Sequence, residues 1–340
     1  MASKKSNPRK TSRSAPKKPV AVPSELGQAE SGSHKNILRV LIAVVVVVCV
    51  IYGMNSFHGG AAPKDIKAQL ITQITGEQSK SGHFTAWGIA PIGKDKFAVV
   101  DQEDNRIMVF DRQGKFLKAW GKRGNGPSEF QEPSGMTTDG NRHIYVLDTW
   151  NGAIKGFDEN GKPLAVVSLG KLGGFYGPRG IGFDGQNFIV ADSGGQRLAL
   201  VSLRGDLISA WGSLGNGTGQ FKGPLAAVSD GKGNYYVADT DNNRIQILDK
   251  DGKVEKVIKV GFSVLALAID NEGRLYASTT DNSGCIKVYS PTGSYLGDLK
   301  GQDGNQPLGG ARGLAVSPDD VLMITVGGNL LFYQLSPVTS

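Results

Sequence analysis

The residues most capable of chemistry are sparse in this sequence. Its four histidines are His34, His58, His83 and His143, and only the last two lie beyond residue 66, both in predicted turns. A zinc site needs several imidazole or thiolate ligands that converge on one ion, so we expect these two side chains to be solvated. Cys285 has no histidine beside it in sequence, which favours a buried, inert thiol over a nucleophile.

Two glycine-rich strings, residues 121–126 and 212–217, superficially resemble phosphate-binding loops. Such a loop is followed by a helix whose first amides face the phosphate. Here each string joins two predicted strands and no helix follows, so phosphate binding is not expected. Glycine makes up 48 of the 340 residues, about twice its usual share, which indicates many turns between short strands.

The elements that position these residues form a repeat, written about six times after residue 66. Each copy contains a strand that ends in a Val-x-Asp step or a variant of it, followed by Gly/Asp turns and further short strands. The last position of this step is Asp101, Asp148, Asp192, Asp239, Thr279 and Thr325 in the successive copies. A period of roughly 45 residues with four short strands per unit is typical of β-propeller blades.

The repeat resembles the NHL repeat over roughly residues 68–335. The matching parts are Pro133–Gly135 with Asp139, Asp239 with Asn243, Arg244 and Ile245, and Gly217 with Phe221. The resemblance implies an all-β, six-bladed NHL-type propeller. NHL-like propellers bind proteins, sugars and RNA, and a few related ones are enzymes, so the resemblance is informative about fold and weak about function.

Spacing also predicts how the ring closes. The last copy stops at Leu335, after its third strand, whereas residues 69–84 share the length and pattern of residues 115–130 and 206–221. We therefore expect residues 69–75 to supply the missing outer strand of the last blade. This closure pairs the two ends of the propeller and leaves no open edge between its first and last blades.

Residues that recur in the blades are expected to hold each blade together, because an aspartate can accept backbone N–H bonds in a turn or pair with an arginine. We assign this structural role to Asp101, Asp148, Asp192, Asp239, Arg106 and Arg244. A second set of aspartates ends the inner strands: Asp139, Asp184, Asp230 and Asp270. These are expected to cap turns, and gathering a cation is the alternative.

Positions that differ between copies are the better candidates for binding. The variable residue that begins each inner strand, at one mouth of the central channel, is Trp87, Ser134, Arg179, Leu225, Leu265 or Arg312. This ring has no carboxylate, whereas the related lactonases hold calcium in the channel with Glu, Asp and Asn ligands. We therefore expect no metal, no cofactor and no catalytic residue.

Arg179 and Arg312 belong to blades three and six, which face each other in a six-fold ring. We hypothesise that they bind a ligand or partner together with Trp87 and Ser134, the two guanidinium groups clamping a carboxylate or phosphate. The alternative is that each arginine pairs with an aspartate of a neighbouring blade.

The formal net charge of +7 belongs to the first 39 residues, which contain nine Lys/Arg and two acidic residues. Residues 1–36 are rich in Ser, Pro and Lys and are predicted to be a disordered basic tail. Residues 37–54 are long and apolar enough to span a bilayer, which predicts an uncleaved signal-anchor helix in preference to a cleaved signal peptide. The positive tail then lies in the cytoplasm. Residues 55–67 form a linker, 68–335 the extracytoplasmic propeller and 336–340 a short tail.

These features favour a membrane-tethered interaction module, or an accessory subunit of an envelope complex, over an enzyme. In a bacterium the propeller would be periplasmic. The expected partner is a protein in or near the membrane, with an anionic ligand in addition. The alternative is a channel-mouth hydrolase or lyase of the lactonase-like or amidating-lyase-like propeller group. Nucleic-acid binding is disfavoured because the predicted propeller has no net charge.

Overall fold

The computed structural model describes residues 64–76, 84–281, 283–301 and 307–336. In these ranges the regular elements are β-strands, apart from two short 3-10 turns, η1 (Leu169–Leu172) and η2 (Thr240–Asn242). The predicted tail, the predicted signal-anchor at residues 37–54 and three of the four histidines, all but His143, lie outside these ranges. No helix of the described ranges is both long enough and apolar enough to cross a membrane.

In the described residues, six four-stranded antiparallel blades surround a central channel in cyclic order, and one further short strand adds to the fifth blade. Two strands precede the first blade: β1 (Lys64–Asp65) and β2 (Ala68–Thr75). Five blades are contiguous in sequence and run outward from the channel. They are blade 1, β3 (Ala86–Ile92), β4 (Lys96–Asp101), β5 (Arg106–Asp111) and β6 (Phe116–Trp120); blade 2, β7 (Pro133–Thr138), β8 (Ile144–Asp148), β9 (Ala153–Phe157) and β10 (Pro163–Ser168); blade 3, β11 (Gly180–Phe183), β12 (Asn187–Asp192), β13 (Arg197–Ser202) and β14 (Leu207–Trp211); blade 4, β15 (Pro224–Ser229), β16 (Tyr235–Asp239), β17 (Arg244–Leu248) and β18 (Val254–Lys259); and blade 5, β19 (Val264–Ile269), β20 (Leu275–Thr279), β21 (Ile286–Tyr289) and β22 (Tyr295–Leu299).

Blade 6 is built from both ends of the propeller. Its inner three strands are β23 (Gly313–Val316), β24 (Val321–Val326) and β25 (Asn329–Leu335), and β2 is its outer strand. Ala68 pairs with Leu335 and Thr75 with Asn329 across the antiparallel β2–β25 ladder. The structure therefore closes the ring in the way that the spacing of the last repeat predicts.

One short strand was not predicted. Lys64 and Asp65 of β1 pair in parallel with Gly297 and Asp298 of β22, so the sheet of blade 5 has five strands. The sequence analysis treats this stretch as part of the linker, because two residues carry no strand pattern. The chain thus runs along the outer edge of blade 5 before it enters blade 6.

The core is divided into six apolar clusters, one between each pair of neighbouring blades. The second strand of each blade is buried on both faces, as in β8 and β16, because it packs against the blades on either side. Outer strands such as β6 alternate between partly buried and exposed residues, as expected when one face meets solvent. Stacking of blades, and not any single sheet, therefore buries the apolar surface.

Close packing of the inner strands explains one recurrent glycine. A Cβ at Gly135 would lie 2.8 Å from the Arg179 carbonyl oxygen, and one at Gly180 would lie 2.5 Å from that of Leu225. A Cβ at Gly313 would overlap the Trp87 carbonyl, where blade 6 meets blade 1. The residue that follows each channel-mouth position is thus glycine wherever the next strand comes this close.

A belt of side-chain hydrogen bonds joins neighbouring blades at the same end of the channel. The residue after each repeat aspartate donates to the backbone carbonyl that begins the next blade. The pairs are Gln102 Nε2 to Pro133, Thr149 Oγ1 to Pro178, Ser193 Oγ to Pro224 and Thr240 Oγ1 to Val264, at 2.6–3.1 Å. These bonds fix the start of each inner strand, and with it the position of the residue at the channel mouth.

Candidate functional site

The six variable residues lie where the sequence analysis places them, at the starts of the inner strands around the channel. They line one end of a cavity of about 310 Å³ whose walls are the six inner strands. We call this end of the propeller the channel mouth. Because Arg179 begins blade 3 and Arg312 begins blade 6, the two arginines come from opposite sides of the ring.

The indole of Trp87 bridges these two arginines. The guanidinium carbon of Arg312 lies 4.6 Å from the ring centroid, and that of Arg179 lies 5.5 Å from it. Both distances are within the range of cation–π attraction, about 6 Å. The structure thus brings Trp87, Arg179 and Arg312 into one contiguous cluster across the mouth.

Arg179 has an acidic partner. Its Nη1 lies 2.7 Å from Oε1 of Glu132, which precedes the first strand of blade 2. The other carboxylate oxygen of Glu132 accepts a hydrogen bond from the indole N–H of Trp150. Burial raises the pKa of Glu132, but the bonds from Trp150 and Arg179 outweigh it and hold the pKa below its ordinary value. The partner of Arg179 is therefore an ionised glutamate and not a repeat aspartate.

The backbone of Glu132 is held in an unusual conformation. Its φ is +54°, in the left-handed region, and its N–H donates to Asn105 Oδ1 at 2.9 Å. A non-glycine residue pays a conformational cost there and persists because its surroundings fix it. The sequence analysis missed Glu132, since no copy-to-copy pattern marks it.

Arg312 differs from Arg179. Its side chain is exposed, and no carboxylate of the described residues lies within ion-pair distance of its guanidinium. Its backbone N–H bonds to the Thr325 carbonyl, which anchors the main chain and leaves the side chain on the indole. Arg179 thus gives one of its donors to Glu132, whereas Arg312 forms no ion pair with a described residue.

Ser134 is built into the fold. Its side chain is fully buried, donates to the Arg179 carbonyl at 3.1 Å and lies 2.7 Å from Thr149 Oγ1. Its hydroxyl thus holds blade 2 against blade 3. Leu225 and Leu265 are half-buried and make the mouth apolar on the side between Arg179 and Arg312.

The repeat aspartates hold the ends of their blades. Three of them pair with an arginine of the next strand through the arginine Nε and the aspartate Oδ2. The distance is 2.8 Å for Arg106–Asp101, 2.9 Å for Arg197–Asp192 and 2.6 Å for Arg244–Asp239. The other oxygen of each of the three accepts a backbone N–H from the loop before its own inner strand. All these carboxylates are fully buried, so they join a hairpin to a loop and face no ligand.

In blade 2 a lysine, and not an arginine, pairs with the repeat aspartate. Ala153 stands where blades 1, 3 and 4 have arginine, and Lys155 lies 2.7 Å from Asp148 instead. The Lys155 ammonium also donates to the carbonyls of Gly126 and Glu129. Arg244 makes the equivalent bonds in blade 4, to Gly217 and Gln220. No repeat pattern marks Lys155 as the partner of Asp148, because blades 1, 3 and 4 have Met108, Ala199 and Gln246 at its register position.

The glycine-rich strings are closed by their own side chains. Glu129 Oε2 accepts the Gly126 N–H at 3.0 Å, and Gln220 Oε1 accepts the Gly217 N–H at 3.0 Å. The Gly126 N–H and Lys122 lower the pKa of Glu129. An internal carboxylate or amide therefore occupies the position that a phosphate would need.

The aspartates at the opposite end of the channel cap turns. In each of them, one carboxylate oxygen accepts hydrogen bonds from two backbone N–H groups that lie two to four residues further along the chain. This holds for Asp139, Asp184, Asp230 and Asp270. His143 Nδ1 lies 2.8 Å from Asp139 Oδ2. No group of three or more His, Cys, Asp or Glu side chains among the described residues is arranged to hold a metal ion.

Cys285 is buried on the edge of blade 5, and its Sγ donates to the Ser283 carbonyl at 3.1 Å. Burial raises the pKa of this thiol. The thiolate is the reactive form of cysteine, so this environment disfavours nucleophilic chemistry.

Comparison with known proteins agrees with the architecture. A family model described as a 6-bladed beta-propeller matches residues 89–169. NHL repeat-containing protein 3 of Mus musculus is 30% identical over 175 residues, which cover 45% of this chain and 48% of that protein. The chain spans about half the length of the curated relatives it matches. These similarities support an NHL-type propeller, and the predicted all-β, six-bladed fold is confirmed.

Solved structures of proteins with different functions share this fold. A streptogramin B lyase structure has a TM-score of 0.56 at 13% identity and covers 80% of this chain and 97% of its own. The WD40 propeller domain of Doa1 has a TM-score of 0.56 at 11% identity, with 79% and 97% covered. At these identities the likeness concerns fold alone.

Proposed function

We propose that this chain is a non-catalytic binding module, tethered to a membrane, that recognises an anionic group at its channel mouth. The loops around the mouth then face a protein partner in or near the membrane, as in an accessory subunit of an envelope complex. Rigid scaffolds commonly present binding residues on loops in this way.

The observation that carries the proposal is the state of Arg312. Its guanidinium is exposed, lies on the indole of Trp87 and has no carboxylate partner among the described residues. An arginine prefers planar, two-point contacts to a carboxylate or phosphate, and an aromatic face beside it favours a fixed orientation. Arg179, on the other side of the same indole, adds a second positive charge.

Exposed aromatic side chains near the mouth fit a partner surface. Trp150 is 62% exposed and Tyr176 is 75% exposed, and both lie in turns or loops at the mouth end of blades 2 and 3. Aromatic residues are enriched at protein interfaces because they bury a large area and lose little conformational freedom. We infer the membrane tether from the apolar run at residues 37–54 and from the basic residues that precede it.

Affinity capture from membranes tests the proposal. The full chain, an Arg179→Gln/Arg312→Gln variant and an Arg204→Gln variant are each cross-linked in membranes and analysed by quantitative mass spectrometry. Arg204 is an exposed arginine in a turn at the opposite end of blade 3, so it is a matched control. We expect a protein that the wild type and Arg204→Gln both retain and the double variant loses. Identical capture by all three chains would contradict the role of the mouth.

A further inference from the structure

We infer that the anionic group recognised at the channel mouth belongs to a small amphipathic monocarboxylate, with its carboxylate on Arg312 and its apolar part on Leu225 and Leu265. This inference rests on the anion-binding role proposed above and names the chemical class of the ligand.

The charge of the cluster sets the charge of the ligand. Arg179 and Arg312 contribute two positive charges, and Glu132, ion-paired to Arg179, contributes one negative charge. Among the described residues the cluster therefore keeps one positive charge without an acidic partner, that of Arg312. A monoanion neutralises this charge, whereas a phosphate dianion would leave one excess negative charge near Glu132.

The geometry of the cluster favours a carboxylate among monoanions. A guanidinium offers two parallel N–H donors that match the two oxygens of a carboxylate. The indole of Trp87 covers one face of the Arg312 guanidinium at 4.6 Å from the guanidinium carbon. Its in-plane donors remain the natural contact for a planar acceptor.

The other half of the mouth is apolar. Leu225 and Leu265 begin blades 4 and 5, and these two blades lie between those of Arg179 and Arg312 in the ring. Both leucines are half-buried, and Phe262, three residues before Leu265, is 45% exposed. A ligand whose anionic end meets Arg312 therefore has an apolar surface within reach of its other end, and covering that surface is favourable.

The size of the cavity limits the ligand. Its volume is about 310 Å³, at the small end of the range of about 300–1,000 Å³ for small-molecule sites. A cavity of this size favours a small ligand. Octanoate, with eight carbons and two oxygens, is a suitably small amphipathic probe.

Isothermal titration calorimetry with three probes tests the inference on the purified full chain in nanodiscs, with protein-free nanodiscs as the blank. The probes are octanoate, its neutral analogue octanamide and the head group alone, acetate. We expect octanoate to bind at least tenfold more tightly than either of the others. This comparison uses only the wild-type protein, so it does not depend on the folding of a variant.

Variants then locate the contacts. Arg312→Gln is expected to weaken octanoate binding at least tenfold, and Leu265→Ala several-fold without changing the affinity for acetate. The matched controls are Arg204→Gln and Leu164→Ala, which change exposed side chains away from the mouth and should leave binding unchanged.

The failures are distinguishable. If acetate binds as tightly as octanoate and Arg312→Gln abolishes both, the anion-binding role stands and the amphipathic ligand is overturned. If octanamide binds as tightly as octanoate, or Arg312→Gln binds octanoate normally, both proposals are overturned. If octanoate does not bind at all, the present inference fails, and the capture experiment decides the role of the mouth independently.

Discussion

The ammonium of Lys155 lies 2.7 Å from the carboxylate of Asp148, and both side chains are almost completely buried. This pair replaces the aspartate–arginine pair of blades 1, 3 and 4. Removing one member of a buried ion pair leaves an uncompensated charge in a medium that solvates it poorly. The integrity of blade 2 thus depends on a lysine that its neighbours do not have.

We predict that Lys155→Met lowers the free energy of unfolding by about 3–5 kcal/mol, measured by urea titration. Lys250→Met is the matched control, because Lys250 pairs with Asp251 on the exposed surface, where an ion pair contributes little to stability. Equal effects of the two substitutions would contradict the assignment.

Blade 4 suggests a rescue of the same variant. Arg244 and Gln246 in β17 occupy the register positions of Ala153 and Lys155 in β9, and both bond to Asp239. The double variant Ala153→Arg/Lys155→Gln is therefore expected to recover most of the lost stability. If it is no more stable than Lys155→Met, the two blades are not interchangeable at this position.

Ring closure gives a second prediction. A methyl group at Gly313 would overlap the Trp87 carbonyl between blades 6 and 1. Gly313→Ala is expected to cost about 1–3 kcal/mol, as overpacking does, and to lower the melting temperature in a calorimetric scan. Gly140→Ala is the control, because nothing lies within 4 Å of a Cβ there. A Gly313→Ala protein as stable as the control would show that the inner strands can move apart.

Competition within the site gives a third prediction. Glu132 Oε1 accepts the hydrogen bond from Nη1 of Arg179, so a ligand carboxylate must compete with it for that donor. Glu132→Gln keeps an acceptor for Trp150 and removes the negative charge. We expect it to raise the affinity for octanoate several-fold in calorimetry, while Glu103→Gln, an exposed carboxylate bonded to Thr85, has no effect. Weaker binding by Glu132→Gln would mean that this residue supports the ligand and does not compete with it.

Tyr235 gives a prediction of pH dependence. Its hydroxyl donates to Asp184 of the neighbouring blade at 3.1 Å, and burial together with this carboxylate raises the pKa of the tyrosine to about 12. A raised pKa in the folded state means that the stabilisation is complete below pH 10, the ordinary pKa, and is lost as the pH rises towards 12.

Urea unfolding from pH 8 to 12 measures this effect. The wild type should lose its advantage over Tyr235→Phe as the pH rises through this window. Tyr176→Phe changes an exposed ring and should follow the wild type throughout. A constant difference between the wild type and Tyr235→Phe at all pH values would exclude the linkage.

The predicted tether can be tested directly. We expect the full chain to stay with membranes after alkaline carbonate extraction, and protease added on the outer side to digest the propeller and spare the basic tail. A Val46→Lys/Val47→Lys variant places two charges in the apolar run, each at a cost of about 2.5–3.5 kcal/mol, and should be extracted. A propeller that is digested only after lysis of the membrane would reverse the proposed orientation.

The sequence predicts repeating parts of this molecule better than unique ones. Blade number, the closure by β2 and the ring of mouth positions follow from spacing, because each is stated several times along the chain. The Lys155–Asp148 and Glu132–Arg179 pairs escape such reasoning because neither pair recurs in the other described blades. Glu132 meets Arg179 and Trp150 only through the three-dimensional arrangement of blades 2 and 3. The parallel pairing of β1 with β22 likewise depends on where the chain enters the propeller.

The pairing of β2 with β25 has a consequence for biosynthesis. Strand β2 is synthesised before the five contiguous blades and its partner β25 after them, so Ala68 finds its partner only after Leu335 has been synthesised. During that delay the apolar edges of the nascent chain are available to chaperones and proteases. A message truncated before codon 329 yields a protein with no partner for β2, so cellular quality control has a simple signal by which to remove incomplete copies.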